Sequence, residues 1–171
     1  MDAQWRLKHF YHTIINARDI DESVRFYEML GFVIASDRRD AVWPDGSGAS
    51  FALIPNPKGR GVLMILPSDP EGPMLDLIEW QAPRADFPMP APTTVPRVLA
   101  FRTENVRAAH AALKAQGVRF TTDEPTSIPA AGITACIVAY DPNGTLIEMI
   151  ELEPGLRHSR IKEVFTPDGT A

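Results

Sequence analysis

The chain nearly repeats itself at an offset of 86 residues. One copy runs HTIINARDIDESVRFYEMLGF from His12, and the other runs VLAFRTENVRAAHAALKAQGV from Val98. The offset puts Asp19 on Asn105, Ile20 on Val106, Tyr27 on Leu113, Gly31 on Gly117 and Phe32 on Val118. Each copy later ends in an apolar run holding a glutamate, LDLIEW with Glu79 and TLIEMI with Glu148. A unit of roughly 60 to 80 residues standing alone leaves much of its apolar surface wet. The copies are therefore expected to pack on each other, within the chain or across a dimer.

Local patterns give each copy a strand–helix–strands order. In the first, a strand spans about residues 10–16, and Asp19 with Glu22 three residues later forms a capping-box pattern. Ile20, Val24, Tyr27 and Leu30 recur at helical spacing, and Gly31 supplies a left-handed stop. Strands are predicted near residues 32–36, 62–66 and 75–80. PDGSG and PNPKGRG read as turn material bracketing ASFALI. The second copy is predicted to hold strands near 98–103, 118–121, 133–139 and 145–152, with a helix over 106–116 closed by Gly117. The first copy is longer between its glycine stop and its glutamate. The excess matches the Gly- and Pro-rich stretch at about 40–57, read as an inserted hairpin or lid. The expected organisation is a first module at 1–82, a proline-rich linker at 83–96, a second module at 97–153 and a tail at 154–171. Proline recurs at 83, 88, 90, 92 and 96, which makes the linker extended and semi-rigid.

Composition excludes several partners. Net charge is −5 and the basic residues are scattered, so nothing resembles the basic stripe that phosphate backbones need. No run approaches the roughly 18 apolar residues of a membrane span, and the first residues lack a signal-peptide core. The one cysteine, Cys136, lies in the apolar run ITACIVAY and reads as a small buried thiol rather than a nucleophile. A cytoplasmic protein acting on small molecules is expected, without nucleic-acid or membrane partners.

Strand alternation places His12, Ile14 and Asn16 on one side of their strand. Glu79 shares a face with Leu75 and Leu77, and Glu148 with Leu146 and Ile150. A carboxylate among apolar residues on an inward face is costly unless paired, hydrogen-bonded or bound to a cation. Two such glutamates close together also repel. A divalent ion between them, with His12 as a third ligand, removes both problems, and the donor set suits Zn, Fe, Mn, Ni or Co.

These motifs, with LIEW, AFRTENV and DPNGTLIEM, resemble the vicinal oxygen chelate superfamily. It includes glyoxalase I, methylmalonyl-CoA epimerase, extradiol dioxygenases and the bleomycin- and fosfomycin-resistance proteins. The resemblance covers about residues 9–152. It implies an α+β fold, in which paired βαβββ modules form a cupped mixed β-sheet barrel, and a homodimer. It also implies metal ligands from the first and last strand of each module, falling on His12, Glu79, Val98 and Glu148. Valine cannot ligate, so the third position departs from the family pattern. That departure weighs against a dioxygenase and against a close match to glyoxalase I.

The function expected is a divalent-metal-dependent lyase or isomerase acting on a small oxygenated molecule. Glu79 or Glu148 would shuttle a proton as the catalytic residue. The alternative is a metal-free small-molecule-binding protein of the bleomycin-resistance type. Asn16 and Arg102 are repeat equivalents whose parity points into the cup, and Arg102 either holds a substrate oxygen or pairs with a site glutamate. Trp43, Phe51 and Met64 line the mouth if the insertion folds over it, or else pack as core. His9, Tyr11, His110 and His158 are expected to be packing or solvated residues.

Overall fold

The computed structural model describes residues 10–45, 56–82, 84 and 98–156. The chain divides into two compact units, Met1–Pro88 and Met89–Ala171. In the first, the order is β1 (His12–Asn16), α1 (Ile20–Met29), β2 (Val33–Arg38), β3 (Lys58–Ile65) and β4 (Met74–Ala82). Its sheet runs β1-β4-β3-β2, with β1 parallel to β4 and the other neighbours antiparallel. The second unit repeats the plan with β5 (Val98–Arg102), α2 (Val106–Ala115), β6 (Thr126–Ile128), β7 (Ile133–Tyr140) and β8 (Leu146–Leu152). Its sheet runs β5-β8-β7-β6, with the parallel pair again at the first strand. Both units are thus βαβββ modules, and the α+β class that the resemblance implies holds.

Each helix forms for legible reasons. The Asp19 carboxylate accepts the Glu22 amide at 2.8 Å, satisfying one of the free donors at the start of α1. Ile20, Val24 and Tyr27 are buried as their spacing predicts, and Phe26 widens the stripe. Tyr27 packs edge-on to Phe32 with centroids 5.8 Å apart, which pins the chain leaving the helix. Gly31 takes φ 93°, a conformation that costs glycine nothing. At α2 the cap is Asn105, whose side chain accepts the Ala108 amide at 3.0 Å from a left-handed backbone, φ 52°. Asparagine tolerates that region better than other side chains.

The predicted strand bounds need correction in two places. Lys58–Gly61, read as turn material, belongs to β3, which starts well before residue 62. The strand expected near 118–121 is a single bridge between Phe120 and Ala139, and the regular edge strand begins at Thr126. Pro125 lies between the two and has no amide to continue the ladder. Most of the insertion at 40–57 and the linker at 83–96, and the tail beyond 156, lie outside the described residues. Among the described residues no helix is long and apolar enough to cross a membrane.

Candidate functional site

Residues paired across neighbouring strands share a face of the sheet. In the first unit, Thr13 and Ile15 on β1, Leu75 and Leu77 on β4, and Val62 and Met64 on β3 form one face, against which α1 lies. The far face carries His12, Ile14 and Asn16 from β1, and Asp76, Ile78 and Trp80 from β4. Gly59, Gly61 and Leu63 from β3 and Arg38 from β2 complete it. Met64, a candidate for the mouth of a site, is instead fully buried on the helix face.

Glu79 also belongs to the helix face. Its Oε2 accepts the Ile20 amide at 2.9 Å and Arg60 Nη1 at 3.4 Å, and its Oε1 takes the Gln81 side-chain amide. It therefore stabilises the positive end of α1, where a carboxylate is favoured. Arg60 also reaches Asp21, and Arg39 joins Asp21 to Asp37. The Arg39 guanidinium hydrogen-bonded to Asp37 holds that carboxyl down at about 2. In the second unit the corresponding service comes from Glu151, whose Oε2 accepts the Val106 amide at 2.8 Å.

The strand registers make the same assignment. Ile14 lies opposite Asp76 and Ala100 opposite Glu148, so the repeat partner of Glu148 is Asp76. The equivalence of Glu79 with Glu148, drawn from matching LIEW to LIEM, is thereby corrected. Glu79 pairs with Glu151, and the far-face carboxylate of the first unit lies three residues upstream.

Asp76 is buried and ion-paired to Arg38 Nη2. To reach it from β2, the Arg38 side chain crosses β3 directly over Gly61. A Cβ on Gly61 would sit 3.2 Å from Nη2 and 3.4 Å from Cζ, so the guanidinium lies where a side chain would stand. Arg38 Nε is buried and finds no hydrogen-bond partner among the described residues. Two residues along the same strand, Trp43 lies over Gly59 in the same manner, with ring carbons 3.2 and 3.3 Å from the position of a Cβ. Trp43 meets Trp80 edge-to-face, centroids 5.6 Å apart and planes at 70°. Trp80 Nε1 in turn donates to Asn16 Oδ1 at 3.0 Å. The far face of the first unit is thus an arginine–aspartate pair beside two tryptophans, with His12 half-buried on the outer strand.

The far face of the second unit carries Val98, Ala100 and Arg102 from β5, Leu146, Glu148 and Ile150 from β8, and Cys136, Val138 and Tyr140 from β7. Glu148 is half-buried, and the Cys136 thiol donates to its Oε1 at 3.6 Å. Burial pushes the Cys136 thiol up, and the Glu148 charge and hydrogen bond add to that. A thiol held protonated in this way is a poor nucleophile. The register of β8 is anchored by the DPNG turn, where buried Asp141 accepts the amides of Asn143 at 2.8 Å and Thr145 at 2.6 Å. Val98 is half-exposed at the position matching His12, and Arg102 is exposed on the face its parity predicts. His110 is buried with its ring edge-on to Phe120, a packing residue as expected. Phe51 lies outside the described residues.

Of the implied ligands, His12 and Glu148 lie on the far faces of their own sheets. Glu79 is turned to α1, its replacement Asp76 holds a guanidinium, and Val98 offers no donor. At the second ligand position of the resemblance the carboxylates are thus engaged by the start of α1 and by Arg38, and at the third there is no donor. Among the described residues no group of three or more His, Cys, Asp or Glu side chains is placed to hold a metal. Sequence reasoning missed Arg38, Asp76 and Trp80. The usable signal was the pair of glycines two apart in KGRG, which in a strand marks close approach of other groups.

Known proteins share this architecture. A glyoxalase family protein from Bacillus cereus matches at a TM-score of 0.73 with 15% identity, covering 90% of this chain and 99% of that one. A glyoxalase/bleomycin resistance protein/dioxygenase domain from Frankia sp. EAN1pec matches at 0.63 with 19% identity, covering 90% and 98%. TnmS3, an antibiotic binding protein from Streptomyces sp. CB03234, matches at 0.57 with 21% identity, covering 88% and 100%. No curated protein matches the chain significantly in sequence. The model of the Glyoxalase/Bleomycin resistance protein/Dioxygenase superfamily matches residues 9–149, and the chain belongs to that superfamily.

Proposed function

We propose that this chain is a metal-independent small-molecule-binding protein, working in the cytoplasm as a homodimer. The observation that carries the reading is the Arg38 guanidinium on Asp76. A positive group already compensates the carboxylate that the fold aims away from its helix, and a dication beside it would be repelled. Val98 removes a second donor, and Glu79 serves α1. Trp43 laid over Gly59, with Trp80 packed edge-on against it, supplies the flat apolar surface that ligand pockets favour. A fold neighbour described as an antibiotic binding protein supports the same class.

The rival is the divalent-metal-dependent lyase or isomerase with His12 and Glu148 among its ligands. Metal analysis separates the two. Protein purified without an affinity tag, and supplemented in turn with Zn, Fe, Mn, Ni and Co, is expected to carry substoichiometric metal. A full equivalent that is lost in both His12→Ala and Glu148→Ala would overturn the reading. Light scattering checks the dimer.

A further inference from the structure

We propose that the far face of the first sheet binds a planar aromatic carboxylate, its charge on Arg38 and its ring on Trp43. The inference rests on the small-molecule-binding reading above and names the ligand class of that site. Arg38 commits Nη2 to Asp76, and its side chain keeps 38% of its exposure. Guanidinium carries five donors in a fixed fork, so the ion pair leaves donors free for a second carboxylate, and it remains a full cation while shared. Asp76 and the absent Gly61 side chain together hold the fork flat across β3, so little ordering is left for the ligand to cost.

The aromatic half of the site follows from Gly59. It stands two residues from Gly61 on the same strand and face, about 7 Å away at the rise of a β-strand. Trp43 lies over it, half-buried, and is buttressed edge-on by buried Trp80. Trp80 is fixed in turn by its bond to Asn16. A guanidinium and an indole laid side by side on one strand, at that spacing, match an acid group attached directly to one or two fused rings. Acceptors reach Arg38 and a π-face reaches Trp43 without either side chain moving off its glycine.

Isothermal titration with 2-naphthoate and 2-naphthamide, which differ in charge and little in shape, tests this. The wild type is expected to prefer the carboxylate by about tenfold, the scale of one charge-assisted hydrogen bond. Arg38→Gln is expected to abolish the preference for the carboxylate, whereas Trp43→Ala weakens both probes alike. If Arg38→Gln fails to fold because Asp76 is left unpaired, the double variant Arg38→Gln, Asp76→Asn removes both charges and carries the same expectation. Equal affinities in the wild type, a preference surviving in the arginine variants, or no binding of either probe would each overturn the inference. Metal content, measured separately, decides the broader binding-protein reading.

Discussion

Asp76 and Glu79 are acids three positions apart on one strand, and the period of two sends them to opposite faces with different duties. Asp76 holds Arg38 across β3, and Glu79 accepts the first amide of α1. Glu79→Ala is expected to cost about 1 kcal/mol, as other lost N-terminal caps do, measured by urea unfolding. A cost indistinguishable from zero would mean that Asp19 alone satisfies the helix start. This division was not legible in the sequence, because LIEW and LIEM match by letter while strand register decides the face. A shift of three residues inverts that face. What could be read was Glu148, since the DPNG turn fixes the strand that carries it. Its partner Cys136 titrates in a predictable direction. Burial first, and the Glu148 charge second, raise the thiol above its ordinary value, so its thiolate forms only at higher pH. Iodoacetamide labelling followed by mass spectrometry should show Cys136 reacting more slowly than free cysteine at neutral pH. In Glu148→Gln the rate curve moves to lower pH, because a negative neighbour is gone, yet stays above that of the free amino acid. No shift on substitution would remove Glu148 from the thiol's surroundings.

At the scale of elements, the helices were the most legible parts and the glycine-bearing strand the least. Asp19, Ile20, Val24, Tyr27 and Gly31 each state one local requirement of α1, and the chain meets all of them. KGRG carries the composition of a turn, but Gly59 and Gly61 serve a strand whose cover comes from Trp43 and Arg38. Nothing local in the sequence announces side chains arriving from other strands. The same geometry ranks two substitutions. A Cβ at Gly59 would stand 3.2 Å from the Glu79 carbonyl oxygen, a backbone atom held in the β3–β4 ladder. At Gly61 its nearest neighbours belong to the guanidinium, the movable end of a long side chain. Gly59→Ala is therefore expected to destabilise more than Gly61→Ala, and equal melting temperatures would contradict the packing described. The β7–β8 hairpin gives a sharper case. Asp141→Ala strips two buried amides of their acceptor, and each unsatisfied group costs about 1 to 3 kcal/mol. Thermal unfolding should show a loss of several degrees, larger than that for Glu79→Ala.

For the whole molecule, duplication explains why the two units share so much physics while differing in chemistry. Each keeps the parallel β-strand pair, the helix after the first strand, and one glutamate on the last strand that accepts the helix's first amide. These parts tie each helix to its own sheet, and both copies have them. The far faces carry no such tie and differ, with Arg38, Asp76 and tryptophans in one and Cys136, Glu148 and Val98 in the other. The paired capping glutamates make the structural half of this separation measurable. Glu79 bonds to Ile20, Arg60 and Gln81, and Glu151 bonds to Val106, so among the described residues they have no partner in common. Substitutions without shared partners add to within about 0.5 kcal/mol. A double-mutant cycle of Glu79→Ala and Glu151→Ala, read by urea unfolding, should therefore give an interaction energy near zero, with each single variant costing about 1 kcal/mol. A coupling well above that margin would mean that the start of one helix is felt by the other, and that the two copies do not hold their helices independently.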